Sequence, residues 1–128
     1  MINIQKQIDY WEKNADEDIQ TAEILINQKR FLHGMFFCHL SIEKILKAHY
    51  VKSKESFAPK THNLFYLSEH SGLFLENDTN IFLGVLMKYQ LEGRYPEYNQ
   101  SNPDYDLTID YLNKTKELLK CLKLMLLK

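Results

Sequence analysis

Near the start of the chain, residues 4–26 read IQKQIDYWEKNADEDIQTAEILI, and this stretch carries the clearest structural signal in the sequence. Apolar or small residues recur in it at steps of three or four, namely Ile4, Ile8, Trp11, Ala15, Ile19, Ala22 and Ile26. Such spacing places the side chains on one face of an α-helix. The remaining positions are mostly polar. The stretch therefore predicts an amphipathic helix whose apolar face packs against a neighbour.

The same periodicity predicts three more long helices, over residues 33–53, 77–91 and 105–127. The expected buried faces are Met35, Phe36, Leu40, Ile42, Ile45, Leu46 and Tyr50 in the first of these, Ile81, Phe82, Val85, Leu86 and Tyr89 in the second, and Ile109, Leu112, Leu119, Leu122 and Leu126 in the third. Asp78 is the expected N-cap of the second. No alternation of period two suggests strands.

Glycine and proline mark the breaks between these helices. A loop over residues 53–60 contains Pro59, Thr61 is the expected N-cap of a short helix, and Gly72 is expected to end that helix. Gly34 costs up to about 1 kcal/mol in a helix interior, so close packing of a neighbouring helix is expected there. We predict an all-α fold, an antiparallel up-and-down bundle of four main helices plus a short extra helix, forming one domain over residues 1–128.

Composition narrows the function classes. The chain has 128 residues, 45% of them hydrophobic and 26% charged, with a formal net charge of −1. Residues 29–60 and 114–128 are net positive and the other segments net negative, which argues against a strongly basic duplex-DNA binder. Two interpretations of the positive segment at residues 29–60 stay open. Its lysines either form a local basic patch or lie on solvated helix faces, and they are Lys44, Lys47, Lys52, Lys54 and Lys60.

Cysteine usage and hydropathy point to a cytoplasmic protein. Cys38 and Cys121 are the two cysteines, and we expect both to pack as small hydrophobic residues. The sequence has no apolar run near the ~20 residues that cross a bilayer, so neither secretion nor membrane insertion is expected. No pattern of His and Cys with metal-ligand spacing occurs, and we predict no metal and no cofactor.

A polar stripe interrupts the second long helix. His39, Glu43 and Lys47 recur at intervals of four and share one helical face. One interpretation is an exposed pair of Glu43 and Lys47 that stabilises the helix by about 0.2 to 0.5 kcal/mol. The other is a groove in which Glu43 orients Lys47 toward an anionic ligand.

Three motifs in the sequence resemble the HEPN domain family: FFCHLSIEKILKAHY at residues 36–50, THNL at 61–64 and GRYP at 93–96. The first helix also matches the family pattern, at Trp11, Ala15, Asp18, Ile19 and Ala22. The resemblance implies an antiparallel helical bundle that is usually a homodimer. It also implies a prokaryotic toxin-antitoxin or defence module in which the gene lies beside one for a small nucleotidyltransferase.

Many HEPN proteins are metal-independent ribonucleases that use an Arg followed after four to six residues by His. Arg94 matches the Arg, but Asn99, Gln100 and Ser101 occupy the positions expected for His. Whether the chain is an enzyme therefore stays open, and no residue is assigned as catalytic. The RYP form resembles a branch described as nucleotide-binding or as partner to the nucleotidyltransferase.

The residues expected to contact a nucleotide or phosphate are Arg94, Tyr95, Lys47, Glu43, His62, Tyr98 and His39. Tyrosines beside an arginine can stack on a base while the guanidinium meets a phosphate, although they also anchor loops and line dimer interfaces. His62 is equally suited to hold the loop against the second helix. Two other functions stay open, a ribonuclease in which His62 or His39 replaces the missing base, and a dimerising scaffold without ligand.

Overall fold

The computed structural model describes the backbone of residues 2–94 and 103–128, and the side chains of residues 2–90 and 103–128. Over these residues the chain is helical and contains no strand. The helices are α1 (Ile4–Asn27), α2 (Phe31–Lys54), α3 (Leu64–His70), α4 (Asn77–Arg94) and α5 (Tyr105–Leu126). The prediction of an all-helical chain with four long helices and one short helix is confirmed.

Helices α1 and α2 are in close contact at Gly34. A Cβ atom on Gly34 would collide with Cγ1 of Ile26 and would lie 3.2 Å from the backbone oxygen of Ala22. Ala15, Ala22 and Ile26 of the predicted apolar face have no exposed surface. The close packing expected at this glycine is confirmed, and small residues on both helices make it possible.

Helix α2 is the central element, because it packs against α1, α3, α4 and α5. Two of its side chains hold the end of α5: the Nε2–H of His49 donates to the carbonyl of Leu122 at 2.8 Å, and Nζ of Lys52 donates to that of Leu126 at 2.6 Å. The last carbonyls of a helix lack partners within the helix, so Lys52 satisfies one of them. Burial lowers the pKa of His49 below its usual 6.5.

Two predicted N-caps are wrong. Asn63 rather than Thr61 caps α3, its side-chain oxygen accepting from the N–H of Tyr66 at 3.1 Å, while Thr61 accepts from the N–H of Asn63 in the preceding turn. Asp78 lies in the first turn of α4. Gly72, with φ of 71°, follows the C-cap Ser71 of α3, so it lies at the end of this helix as predicted.

Two expectations about buried side chains are also wrong. Ile81 is 61% exposed, whereas Leu83 is fully buried together with Leu86, so the buried face of α4 includes Leu83 and leaves out Ile81. Cys121 is exposed, whereas Cys38 is buried as expected, and burial raises the pKa of its thiol to about 12. Among the described residues, no helix is both long and apolar enough to cross a membrane.

Candidate functional site

The polar stripe of α2 is buried, so the interpretation of an exposed helix-stabilising pair is wrong. His39 has no exposed surface, and the side chains of Glu43 and Lys47 are 4% and 8% exposed. Helix α2 is central, and helices cover the face on which a surface pair would have been solvated. Charged residues are rarely buried to this degree unless they are paired.

The carboxylate of Glu43 joins two parts of the chain. Its Oε2 accepts from Nζ of Lys47 at 3.0 Å, and its Oε1 accepts from Nδ1 of His62 at 2.9 Å. Lys47 and Glu43 are one turn apart on α2, whereas His62 belongs to the segment between α2 and α3. Both carboxylate oxygens therefore have a donor, and the negative charge is balanced by the lysine within the protein.

His62 is held through its backbone as well as through its ring. Nε2 of His39 lies 3.0 Å from the carbonyl oxygen of His62, and because a carbonyl only accepts, this nitrogen of His39 carries the hydrogen. Nδ1 of His39 lies 3.8 Å from Oε1 of Glu43. His39 and Glu43 thus fix one residue of the neighbouring segment at two points.

Lys47 is positioned by an aromatic ring on α1. Its Nζ lies 5.1 Å from the ring centroid of Trp11, within the range of a cation–π interaction. The ammonium group is thus enclosed between an indole and a carboxylate. The expected bond between Glu43 and Lys47 is present, and Glu43 also orients His62, a relation that the sequence did not indicate.

His62 is the member of this network that reaches the surface, since 48% of its side chain is exposed. A carboxylate can only accept hydrogen bonds, so Nδ1 of His62 carries the hydrogen of the bond to Glu43. In the neutral ring Nε2 then has a lone pair, and no residue in the described ranges bonds to it. A half-exposed imidazole held by a buried carboxylate can accept or transfer a proton.

The predicted basic patch divides into paired and exposed lysines. Nζ of Lys44 lies 2.7 Å from a carboxylate oxygen of Asp18, whose pKa is raised by burial against the opposing effect of that lysine. Lys47 is paired with Glu43, and Lys52 is bonded to α5. Lys54 and Lys60 are exposed.

Arg94 is the last residue of α4, and its side chain lies outside the described residues, as do Tyr95 and Tyr98. Helix α3, which follows the segment that contains His62, packs against α4. Gly84 of α4 lies beside the ring of Phe65, and Met87, one turn farther along, accepts from the N–H of Leu64 through its sulfur at 3.3 Å. Leu64 and Phe65, which follow His62 closely in the sequence, thus lie against α4.

Two clefts lie elsewhere on the molecule. One, of about 450 Å³, is formed by α1 and α5 around Ile19 and Leu119, and another, of about 650 Å³, is formed by α4 and α5 around Phe82 and Tyr111. Of the predicted ligand contacts, His39, Glu43, Lys47 and His62 have described side chains, and none of these four lines either cleft. In the described parts of the chain no group of three or more His, Cys, Asp or Glu side chains is arranged to hold a metal ion.

The sequence indicated the polar residues of the network, but it did not indicate the bond between Glu43 and His62. The interval of four between His39, Glu43 and Lys47 was visible, and His62 stood out in the THNL motif. The bond between Glu43 and His62 joins residues separated by 19 positions, and no local pattern encodes such a pairing.

Comparison with known proteins supplies the family. Residues 8–125 match the HEPN domain model, which covers most of the chain. The comparisons with curated proteins and with solved structures returned no significant match. By the extent of this match, the chain belongs to the HEPN domain family.

Proposed function

We propose that this chain binds a nucleotide or an RNA end and acts as the partner of a nucleotidyltransferase in a prokaryotic toxin-antitoxin or defence module. In this proposal the protein is cytoplasmic and works as a homodimer, a state that HEPN domains often adopt. The observation that supports ligand binding is the fixed, half-exposed imidazole of His62.

Preorganisation is the physical reason for assigning a ligand to His62. A group that is already fixed loses little conformational freedom when it binds, so more of each new interaction contributes to affinity. The buried partners Glu43 and His39 supply that rigidity. Arg94 supplies a guanidinium for phosphate in this proposal, because Arg forms bidentate hydrogen bonds with phosphate oxygens.

Titration with ATP, AMP and a short oligoadenylate RNA tests the proposal. We expect Arg94→Ala and His62→Ala each to weaken binding about tenfold or more, since each removes a polar contact to the ligand. Arg30→Ala and His33→Ala are the controls, because both residues are exposed and neither takes part in the network. Equal affinity in all four variants would contradict the proposal.

The partnership needs its own measurement. The proposal requires a nucleotidyltransferase gene beside the gene for this chain. When the two proteins are expressed together, they should elute from gel filtration as one complex. Separate elution of two folded proteins would argue for a scaffold or ligand-binding role without that partner.

A second candidate function is a metal-independent ribonuclease with His62 as the displaced general base, and the carboxylate–imidazole pair of Glu43 and His62 favours it. The test is incubation of labelled RNA with the purified protein in the presence of EDTA. Cleavage that persists with chelator and is lost in both His62→Ala and Arg94→Ala would establish this activity. No cleavage by the folded wild type at high protein concentration would exclude it.

A further inference from the structure

We infer that Glu43 is a positioning residue that makes Nε2 of His62 a hydrogen-bond acceptor, and that this atom accepts from a ribose hydroxyl of the ligand. The inference rests on the proposed nucleotide binding and adds the chemical group that the site recognises. It predicts that ribonucleotides bind in preference to their deoxy counterparts.

The argument begins with the donor and acceptor roles in the bond between Glu43 and His62. Nδ1 of His62 lies 2.9 Å from Oε1 of Glu43, and the carboxylate has no hydrogen to give. The second oxygen of Glu43 is occupied by Lys47 at 3.0 Å. The hydrogen of a neutral His62 ring is therefore held on Nδ1, which leaves Nε2 as an acceptor.

The surroundings keep this arrangement from changing when the ligand arrives. The carbonyl of His62 is bonded to Nε2 of His39, so the backbone of His62 is held in place beside Glu43 while the bond from Nδ1 to Glu43 orients the ring. Glu43 is 4% exposed, so water does not compete for its oxygens. Lys47 lies between Glu43 and the ring of Trp11, and its bond to Oε2 of Glu43 holds the carboxylate in place.

The acceptor nitrogen of this half-exposed side chain determines which ligand group fits. A neutral Nε2 cannot donate to a phosphate oxygen, whereas a hydroxyl group has the hydrogen that it needs. In a nucleotide the sugar hydroxyls are such donors. The loss of one hydroxyl should therefore reduce affinity by about three- to tenfold, the effect of one hydrogen bond between neutral groups.

The experiment measures AMP, 2′-deoxy-AMP and 3′-deoxy-AMP binding by calorimetry, with the wild type and a Glu43→Leu/Lys47→Met variant. The double substitution removes both buried charges together, so that neither is left unpaired. NMR spectra of the His62 ring nitrogens then report which nitrogen carries the hydrogen. Glu23→Gln is the control, since Glu23 is also paired with a lysine, Lys116, but lies outside the network.

We expect AMP to bind wild type and Glu23→Gln three- to tenfold more tightly than one of the deoxy nucleotides, with the hydrogen on Nδ1. In the double variant the preference should vanish and the hydrogen should move to Nε2. Equal affinity of wild type for all three nucleotides would overturn the inference while leaving nucleotide binding intact, as would an Nε2–H ring in the wild type. Absence of binding by any nucleotide would instead overturn the proposed function.

Discussion

Replacing Lys47 by Met should destabilise the protein far more than the loss of an ordinary lysine. The Lys47 and Glu43 side chains are 8% and 4% exposed, so the substitution leaves a buried carboxylate without its cation. Removing one partner of a buried ion pair costs about 3–5 kcal/mol. We expect about 3 kcal/mol, the lower end, because His62 still donates to Glu43 and the Met side chain keeps the apolar packing of the lysine stem.

The structure contains a matched control with the same spacing. Lys114 and Asp110 also form an ion pair with an interval of four, at 3.1 Å, but both side chains are 55% exposed. Lys114→Met should change the free energy of unfolding by at most about 0.5 kcal/mol, since exposed pairs contribute little. The contrast isolates burial, because residue types, helix geometry and distance are nearly the same in both pairs.

Urea denaturation followed by circular dichroism at the helix band measures these differences. The double variant Glu43→Leu/Lys47→Met should be less destabilised than the sum of its single variants by about 2 kcal/mol, because it leaves no unpaired charge. For Lys47→Met we also expect a fall in Tm of about 10 °C. A loss below about 1 kcal/mol for Lys47→Met, no larger than that for Lys114→Met, would refute the reasoning.

Gly34→Ala should destabilise the fold by about 1–3 kcal/mol, because the added Cβ collides with Ile26. Gly84→Ala should stabilise the fold by about 0.5–1 kcal/mol, because its Cβ would lie 3.7 Å from the nearest neighbour and alanine favours the helix. Urea denaturation measures both variants, and the reverse ranking would contradict the packing. His49 makes the free energy of unfolding depend on pH. Because its pKa is lowered below 6.5 in the folded state, the unfolded chain binds more protons than the folded chain. The contribution of His49 to stability is therefore complete above pH 6.5 and is lost as the pH falls toward the folded-state pKa. His49→Gln should therefore show a smaller loss of stability between about pH 7.5 and 5.5 than wild type, and an equal loss would show that His49 is not responsible.

Much of the fold could be predicted because helices are encoded by local periodicity. The apolar spacing of α1 identified Ala15, Ala22 and Ile26 as buried, and Gly72 identified the end of α3. The error at Ile81 has a tertiary cause, since the orientation of α4 depends on which neighbours cover it, and its own sequence offered two overlapping apolar faces. The antiparallel order of the four main helices stays a prediction.

The candidate site was predictable as a set of residues but not as a network. Periodicity places Glu43 and Lys47 on one face without showing whether that face is covered, and burial is what distinguishes a weak surface pair from a carboxylate that fixes His62. The loop that brings His62 back to α2 has no periodic signal. The expected roles of Arg94, Tyr95 and Tyr98 stay predictions.

The central position of α2 also bears on the order in which the chain folds. A turn of only three residues joins α1 to α2, so their extensive packing needs little loop closure. The bonds from His49 and Lys52 to α5 instead join residues separated by 73 and 74 positions, which costs more chain entropy. Formation of the α1–α2 hairpin before α5 docks is thus the less costly route to the native state, and the hairpin can serve as the template on which the C-terminal helix assembles.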